Sequence, residues 1–383
     1  MRIGVLTLPL HTNYGGILQA YALQTVLERM GHDVDVFQSP FCKKVGLPKF
    51  PRCIKVYLKR IVKNVITRKK CHIRAERYYN KEYEASSEKT RAFIKRYIHE
   101  KKINSLLEIN ELSYDCIVVG SDQVWRPVYF KRMWNAPAEN MFLAFLKREN
   151  IVRVAYAPSF GVDRCELAND ELEKCRKSIQ LFNCISVREK SGIEICENKL
   201  GVKASLVLDP TMLLQTKDYV ELIEKSPSQR PSGNLLTYIL DDCKWKNAVI
   251  DDMAKKMQMK PFEINSKVDC VEAPFEERCQ ISVEAWLRSF WEAEFVITDS
   301  FHACVFSILF EKPFLVLANR LRGTSRLYSL LEMFNKTDCL IGDISEYSKE
   351  KDYRFKPDYS SRLEILRMQS VGFLFQGVGA KYG

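Results

Sequence analysis

Short runs of β-branched and aliphatic residues alternate with helical patterns along almost the whole chain, and this alternation constrains the fold more than any other feature. Ile3–Leu8 leads through a glycine turn into a helix from about Ile17 to Met30, then to Gly31 and a second strand at Val34–Gln38. Further strand-like runs are Cys116–Gly120, Val152–Ala157, Cys184–Val187 and Leu206–Leu208, and later Leu235–Leu240, Phe262–Ile264, Phe295–Thr298 and Phe314–Leu317. Strands separated by helices pair in parallel, because a crossover must carry the chain back before the next strand starts. The segment 224–234 is rich in Pro, Ser and charge and reads as a linker. The expected architecture is therefore α/β. A Rossmann-like domain over 1–223 carries a basic helical insertion at about 41–110, a second such domain covers 235–345, and a tail with a helix at Arg362–Ser370 fills 346–383.

Ligands of parallel α/β sheets sit beyond the carboxyl ends of the strands, where helix N-termini offer unpaired N–H groups to anions. The most telling such position is Phe295-Val-Ile-Thr-Asp-Ser-Phe-His302, an apolar strand that ends on Asp299, Ser300 and His302 just as a helix begins. Either these residues face a ligand, or Asp299 or Ser300 simply caps the helix. Arg188, Arg322 and Arg326 follow other strands, and turn chemistry does not explain arginine there. With His302 they form an anion-binding set, since guanidinium groups grip carboxylate or phosphate in bidentate geometry and a histidine supplies a proton near neutral pH. Asn13-Tyr-Gly-Gly16 precedes the first helix and lets backbone approach a ligand closely.

Several chemistries are disfavoured. The spacing G-x-G-x-x-G, a Walker A loop and G-x-S-x-G are absent. Five histidines, at 11, 32, 72, 99 and 302, show no metal-ligand spacing, so no metal is expected. Thirteen cysteines without C-x-x-C read as reduced thiols of a cytoplasmic protein, with Cys304 facing the core. Ile3–Leu27 lacks charge and Ala20-Tyr-Ala22 mimics a cleavage site, but Pro9 breaks the apolar run and the basic region before it is one arginine, so no signal peptide is expected.

The net charge of +11 is uneven: twelve Lys or Arg and no Asp or Glu fall between Phe41 and Ala75. Within that stretch Ile54, Tyr57, Leu58, Ile61, Val62, Val65 and Ile66 recur at helical spacing with lysines between them. Such a helix either lies on an anionic membrane surface or turns its apolar side to the core. No nucleic-acid motif accompanies the charge, and no nucleic-acid partner is expected.

Taken together, Asn13-Tyr-Gly-Gly-Ile-Leu-Gln-Ala-Tyr-Ala-Leu23, Val119-Gly-Ser-Asp-Gln-Val-Trp125, Tyr156-Ala-Pro-Ser-Phe-Gly161, Ser186-Val-Arg-Glu189, Leu208-Asp-Pro-Thr211 and Thr298-Asp-Ser-Phe-His302 with Lys312-Pro-Phe314 resemble, in order, the polysaccharide pyruvyl transferase family. The resemblance implies a two-domain, glycosyltransferase-B-like fold and transfer of pyruvate from phosphoenolpyruvate to two sugar hydroxyls as a cyclic ketal. Phosphoenolpyruvate is a co-substrate, and no cofactor is implied. The acceptor would be a glycan intermediate of capsule or exopolysaccharide assembly, lipid-linked and met at the inner face of the membrane. By the same resemblance His302 is the acid and Arg188 binds the donor; Ser300 is placed on the donor side with it, and Asp122 is read from the chemistry as a base for the acceptor hydroxyl or else as a turn residue. Acceptor contacts fall to Asn13, Tyr14, Gly15, Gln19 and Trp125. Another branch of the family has arginine at the Ser300 position and glycine at that of Ala303, so here Arg322 or Arg326 would supply the missing charge. The alternatives are a nucleotide-sugar glycosyltransferase of the same fold and a non-catalytic glycan- or membrane-binding protein.

Overall fold

The computed structural model describes residues 1–40, 45–67, 72–227, 231–318, 323–355 and 358–379. Its strands are β1 (Arg2–Leu6), β2 (Asp33–Gln38), β3 (Glu100–Lys102), β4 (Cys116–Val119), β5 (Val152–Ala155), β6 (Cys184–Val187), β7 (Ser205–Leu206), β8 (Leu235–Tyr238), β9 (Pro261–Glu263), β10 (Phe295–Thr298), β11 (Phe314–Leu317) and β12 (Leu340–Ile341). They form two sheets, in the orders β3-β2-β1-β4-β5-β6-β7 and β12-β11-β10-β8-β9. Every pairing is parallel. This is the two-sheet, parallel α/β arrangement expected from the alternation.

Central strands β4, β5, β8, β10 and β11 are buried along their whole length. Helices cover both faces of the sheets, which is why these strands read as unbroken apolar runs. The edge strands β3 and β12 were not expected. β3 is Glu-Lys-Lys and β12 has two residues, and a charged or very short edge leaves no hydrophobic pattern to read.

The tail is a structural element. Its helix runs over Ser360–Gly379, longer than expected, and returns to the first sheet. There Leu208 N–H donates to Ser370 Oγ at 3.0 Å, and Arg367 Nε donates to the Met212 carbonyl at 2.9 Å. One continuous apolar core includes residues of both halves, and Tyr14 from the first stacks on Trp286 from the second with ring centroids 5.5 Å apart. The carboxyl ends of the two sheets thereby border one shared space.

Within the insertion, a helix at Arg52–Thr67 confirms the amphipathic pattern, but its apolar side does not turn to the core. Ile54, Leu58, Ile61, Val62, Val65 and Ile66 are exposed. Among the described residues no helix is long and apolar enough to cross a membrane.

Candidate active site

A cavity of about 600 Å³ opens between the sheets. It is walled by the turns after β1 and β4 on one side and by those after β8, β9, β10 and β11 on the other, as the strand-end rule requires. His302 stands in the first turn of the Phe301–Leu309 helix, directly after β10. The alternative of a simple cap fails there: Ser300 makes no side-chain cap. The Asp299 carboxylate accepts instead from Leu240 N–H at 2.7 Å, Asp241 N–H at 3.1 Å and Lys246 Nζ at 2.7 Å, so it braces the second sheet's loops.

Across the cavity the Tyr14–Arg29 helix meets His302 at Gly15. A Cβ on Gly15 would lie 2.0 Å from His302 Nδ1, so only glycine leaves room for the imidazole. On its other edge His302 Nε2 is buried without a hydrogen-bond partner, 3.8 Å from Asp209 Oδ2.

Beneath the histidine lies a buried charge cluster. Arg188 donates through Nη1 to Asp209 at 2.5 Å and through Nη2 to Asp122 at 2.9 Å, and its guanidinium covers the Phe301 ring at 4.4 Å. Asp209 also accepts from the Thr211 hydroxyl at 2.7 Å, and Asp122 accepts from Asn13 Nδ2 at 3.1 Å. Asp122 takes a left-handed backbone, φ +54°, in the turn after β4. Gly120 in the same turn has φ +149° and no room for a Cβ, because the Tyr156 carbonyl oxygen would be 1.9 Å away.

The electrostatics follow from burial set against neighbours. Burial alone would push the carboxyls of Asp122 and Asp209 up, but the charge of Arg188 above all holds both below the ordinary range. Burial raises Glu189, and Arg188 and Arg326 only partly counter it. His302 is lowered, chiefly by burial, with Asp209 and Asp122 opposing and Arg188 and Arg326 reinforcing the shift. Arg326, which borders the cavity, is pushed down to about 10 by burial and then by Arg188. The site holds a neutral imidazole between fixed carboxylates and two guanidinium groups, ready to gain a proton when negative charge arrives.

The structure brings His302, Asp122, Ser300, Arg326, Asn13, Tyr14, Gly15 and Gln19 to the cavity wall. Three of them do structural work there. The Gln19 amide donates to Thr7 Oγ1 and the Gly16 carbonyl and accepts from Ser121 N–H, tying two loops together. Tyr14 donates to the Ile281 carbonyl and joins the halves. Asn13 orients Asp122. Arg188 stands behind the wall with both terminal nitrogens engaged by carboxylates, so it positions Asp122 and Asp209 and does not project as an open anion clamp.

Trp125 is a correction. It is fully buried under the first sheet against Phe142 and Phe160, donates Nε1–H to the Met141 carbonyl, and does not reach the cavity. Arg322 lies outside the described residues. Asp209 and Glu189 belong to the cluster although only their motifs had drawn notice, and Arg132 and Lys267 border the cavity with no sequence signal to mark them. Among the described residues no group of three His, Cys, Asp or Glu side chains is placed to hold a metal ion.

Comparison with known proteins adds family and distance. No curated protein matches the chain. Among solved structures, the UDP-GlcNAc 2-epimerase from Neisseria meningitidis bound to UDP-GlcNAc is similar at 11% identity and TM-score 0.43, over 98% of this chain and 100% of that one. The spinosyn forosaminyltransferase SpnP is similar at 11% identity and TM-score 0.41, over 99% of each chain. The E. coli heptosyltransferase WaaC with ADP-2-deoxy-2-fluoro heptose is similar at 11% identity and TM-score 0.33, over 84% of this chain and 92% of that one. These are remote likenesses. The family model of polysaccharide pyruvyl transferase, by contrast, matches residues 13–320, a span holding the glycine turn that receives His302, the buried arginine cluster and the histidine itself, and the chain belongs to that transferase family.

Proposed function

We propose that the cavity takes phosphoenolpyruvate and a sugar with two suitably placed hydroxyls, and joins them as a cyclic pyruvate ketal with release of phosphate. The acceptor in this reading is a lipid-linked intermediate of capsular or exopolysaccharide synthesis, met at the cytoplasmic face of an anionic membrane. The observation that carries it is His302, a buried imidazole held between the first helix and two ionised aspartates at the floor of a cavity bordered by Arg326.

Phosphoenolpyruvate is an enol ester, and protonation of its methylene carbon makes the neighbouring carbon electrophilic. The His302 imidazolium gives that proton, and the first sugar hydroxyl adds to the electrophilic carbon while its own proton returns to the imidazole. The carbon–oxygen bond to phosphate then breaks with its electron pair leaving on phosphate. The second hydroxyl closes the ketal, and its proton goes to the departing phosphate. Protons and electron pairs balance without a cofactor.

Asp122 and Asp209 stabilise the imidazolium. Asp122, held ionised by Arg188, is a weak base and serves this electrostatic role better than that of a proton acceptor. The donor's negative charge is met by Arg326 and by the amino end of the histidine helix near Ser300.

The test separates chemistry from binding. Replacing His302 by Ala should lower turnover by about 10²–10⁴-fold, with donor affinity falling only by the part linked to protonation of the imidazole. Arg326→Met should weaken donor binding by about 2–5 kcal/mol, the range for removing one side of a buried charged contact. Equal, mild effects on both quantities in both variants would refute the assignment.

A further inference from the structure

The Arg52–Thr67 helix is divided into three sectors by its 100° step per residue. Ile54, Leu58, Ile61, Val62, Val65 and Ile66 form one exposed apolar sector, with Val65 77% and Ile66 75% accessible. Arg52, Lys55, Lys59 and Lys63 lie together along one flank. The inner sector is held to the protein by Arg60, which is buried and paired with Glu76 at 2.7 Å and Glu272 at 3.1 Å. Lys63 adds a second bond to Glu272 at 3.0 Å. Both sides of the anchor fix which way the apolar sector faces. A helix that merely lacked a core partner would not have its one buried arginine on the protein side and its aliphatic residues outward.

Glu272 follows, two residues on, the segment Asn265–Cys270, which forms part of the cavity wall. The helix is thereby anchored to the chain that runs on from the cavity wall.

We propose that this helix docks flat on an anionic phospholipid surface, with its aliphatic sector among the acyl chains and its lysine flank on the headgroups, and so sets the cavity at the interface. The last point rests on the reading above of a lipid-linked acceptor, whereas the docking itself does not. Charge decides among the possible occupants. The helix carries basic residues and no acidic one, so a second copy of the same face would bring like charges together, while an anionic bilayer satisfies both the apolar and the basic sectors. A nucleic acid would leave the aliphatic sector in water.

The experiment is co-sedimentation of the full chain with phosphatidylcholine vesicles, with and without phosphatidylglycerol. Calorimetric binding of phosphoenolpyruvate is followed on the same preparations. The wild type is expected to sediment with the anionic vesicles only, and less so as salt rises. Lys55→Ser with Lys59→Ser should lower partitioning about 30-fold, from the contribution of each basic residue near an anionic surface. Leu58→Ser with Val62→Ser should abolish it, and both pairs should keep the wild-type thermal transition and phosphoenolpyruvate binding. Three results would overturn the proposal: equal sedimentation with both vesicle types, none with either, or a dimer on a sizing column that Leu58→Ser with Val62→Ser dissociates. Vesicle binding without phosphoenolpyruvate binding would support the surface and defeat the donor assignment, so the two readings fail separately.

Discussion

Adding one methyl group at Gly15 should disable the histidine from the opposite side of the cavity. The Cβ of Gly15→Ala would lie 2.0 Å from His302 Nδ1, 2.2 Å from Cγ and 2.5 Å from Cε1. Non-bonded carbon contacts settle at about 3.5–4.0 Å, so the ring must retreat by roughly 1.5–2 Å. A misplacement of about 1 Å already costs about 10²-fold in a well-oriented reaction, and the loss is capped at the whole contribution of a general acid, about 10²–10⁴-fold. Turnover of the Ala variant should therefore approach that of His302→Ala. Stability supplies an independent sign test. Overpacking should cost about 1–3 kcal/mol in the wild-type background. In the His302→Ala background the methyl has space, and exchanging glycine for alanine in a helical turn should be neutral or stabilising by up to about 1 kcal/mol. Urea unfolding of the four proteins of this cycle, with phosphate release as the activity measure, reads both quantities. Equal destabilisation in both backgrounds, or full turnover in Gly15→Ala, would refute the packing argument.

Three further outcomes follow from the same geometry. Because burial holds His302 below its ordinary 6.5, it should be neutral in the free protein near neutrality and protonated in the donor complex. Phosphoenolpyruvate affinity should then fall as pH rises through the pKa of the complex, with a binding enthalpy that depends on the buffer's ionisation enthalpy; buffer independence would contradict this. Arg188→Met would leave Asp122 and Asp209 with uncompensated buried charge and should cost about 3–5 kcal/mol. Without the arginine their folded pKa values rise above the unfolded ones, so that cost should be greater at about pH 7 than at about pH 5, a difference that urea midpoints report. Trp125→Ala should cost about 3–5 kcal/mol of stability, with donor affinity unchanged in the folded fraction, which calorimetry checks against its urea curve.

How much of this was legible in the sequence depends on the range of each interaction. β10 and its histidine could be read because a strand period gives way to a helix period within a few residues, and the carboxyl end of a parallel strand is a position with known consequences. The close approach at Gly15 was legible as a need for glycine, but not its cause, because His302 arrives from the other sheet. Arg188 was found as an arginine that turns do not explain. Its partners are 66 and 21 residues away in sequence, so its commitment to Asp122 and Asp209 became visible only when β4, β6 and the turn before Thr211 converged. Trp125 was misjudged for the converse reason: its neighbours in the motif border the cavity, while the short helical turn over Asp122–Trp125 rotates the indole into the core. The amphipathic pattern of the Arg52–Thr67 helix was plain, but which way its apolar side faces is set by Arg60, through bonds to residues on two other segments.

Calorimetry tests, without knowledge of the acceptor, whether the cavity is a phosphoenolpyruvate site built around His302. The protein should bind phosphoenolpyruvate with proton uptake that disappears in His302→Ala, and should show no comparable binding of uridine or cytidine nucleotide sugars. Binding of a nucleotide sugar with none of phosphoenolpyruvate would contradict the account and assign the site to glycosyl transfer.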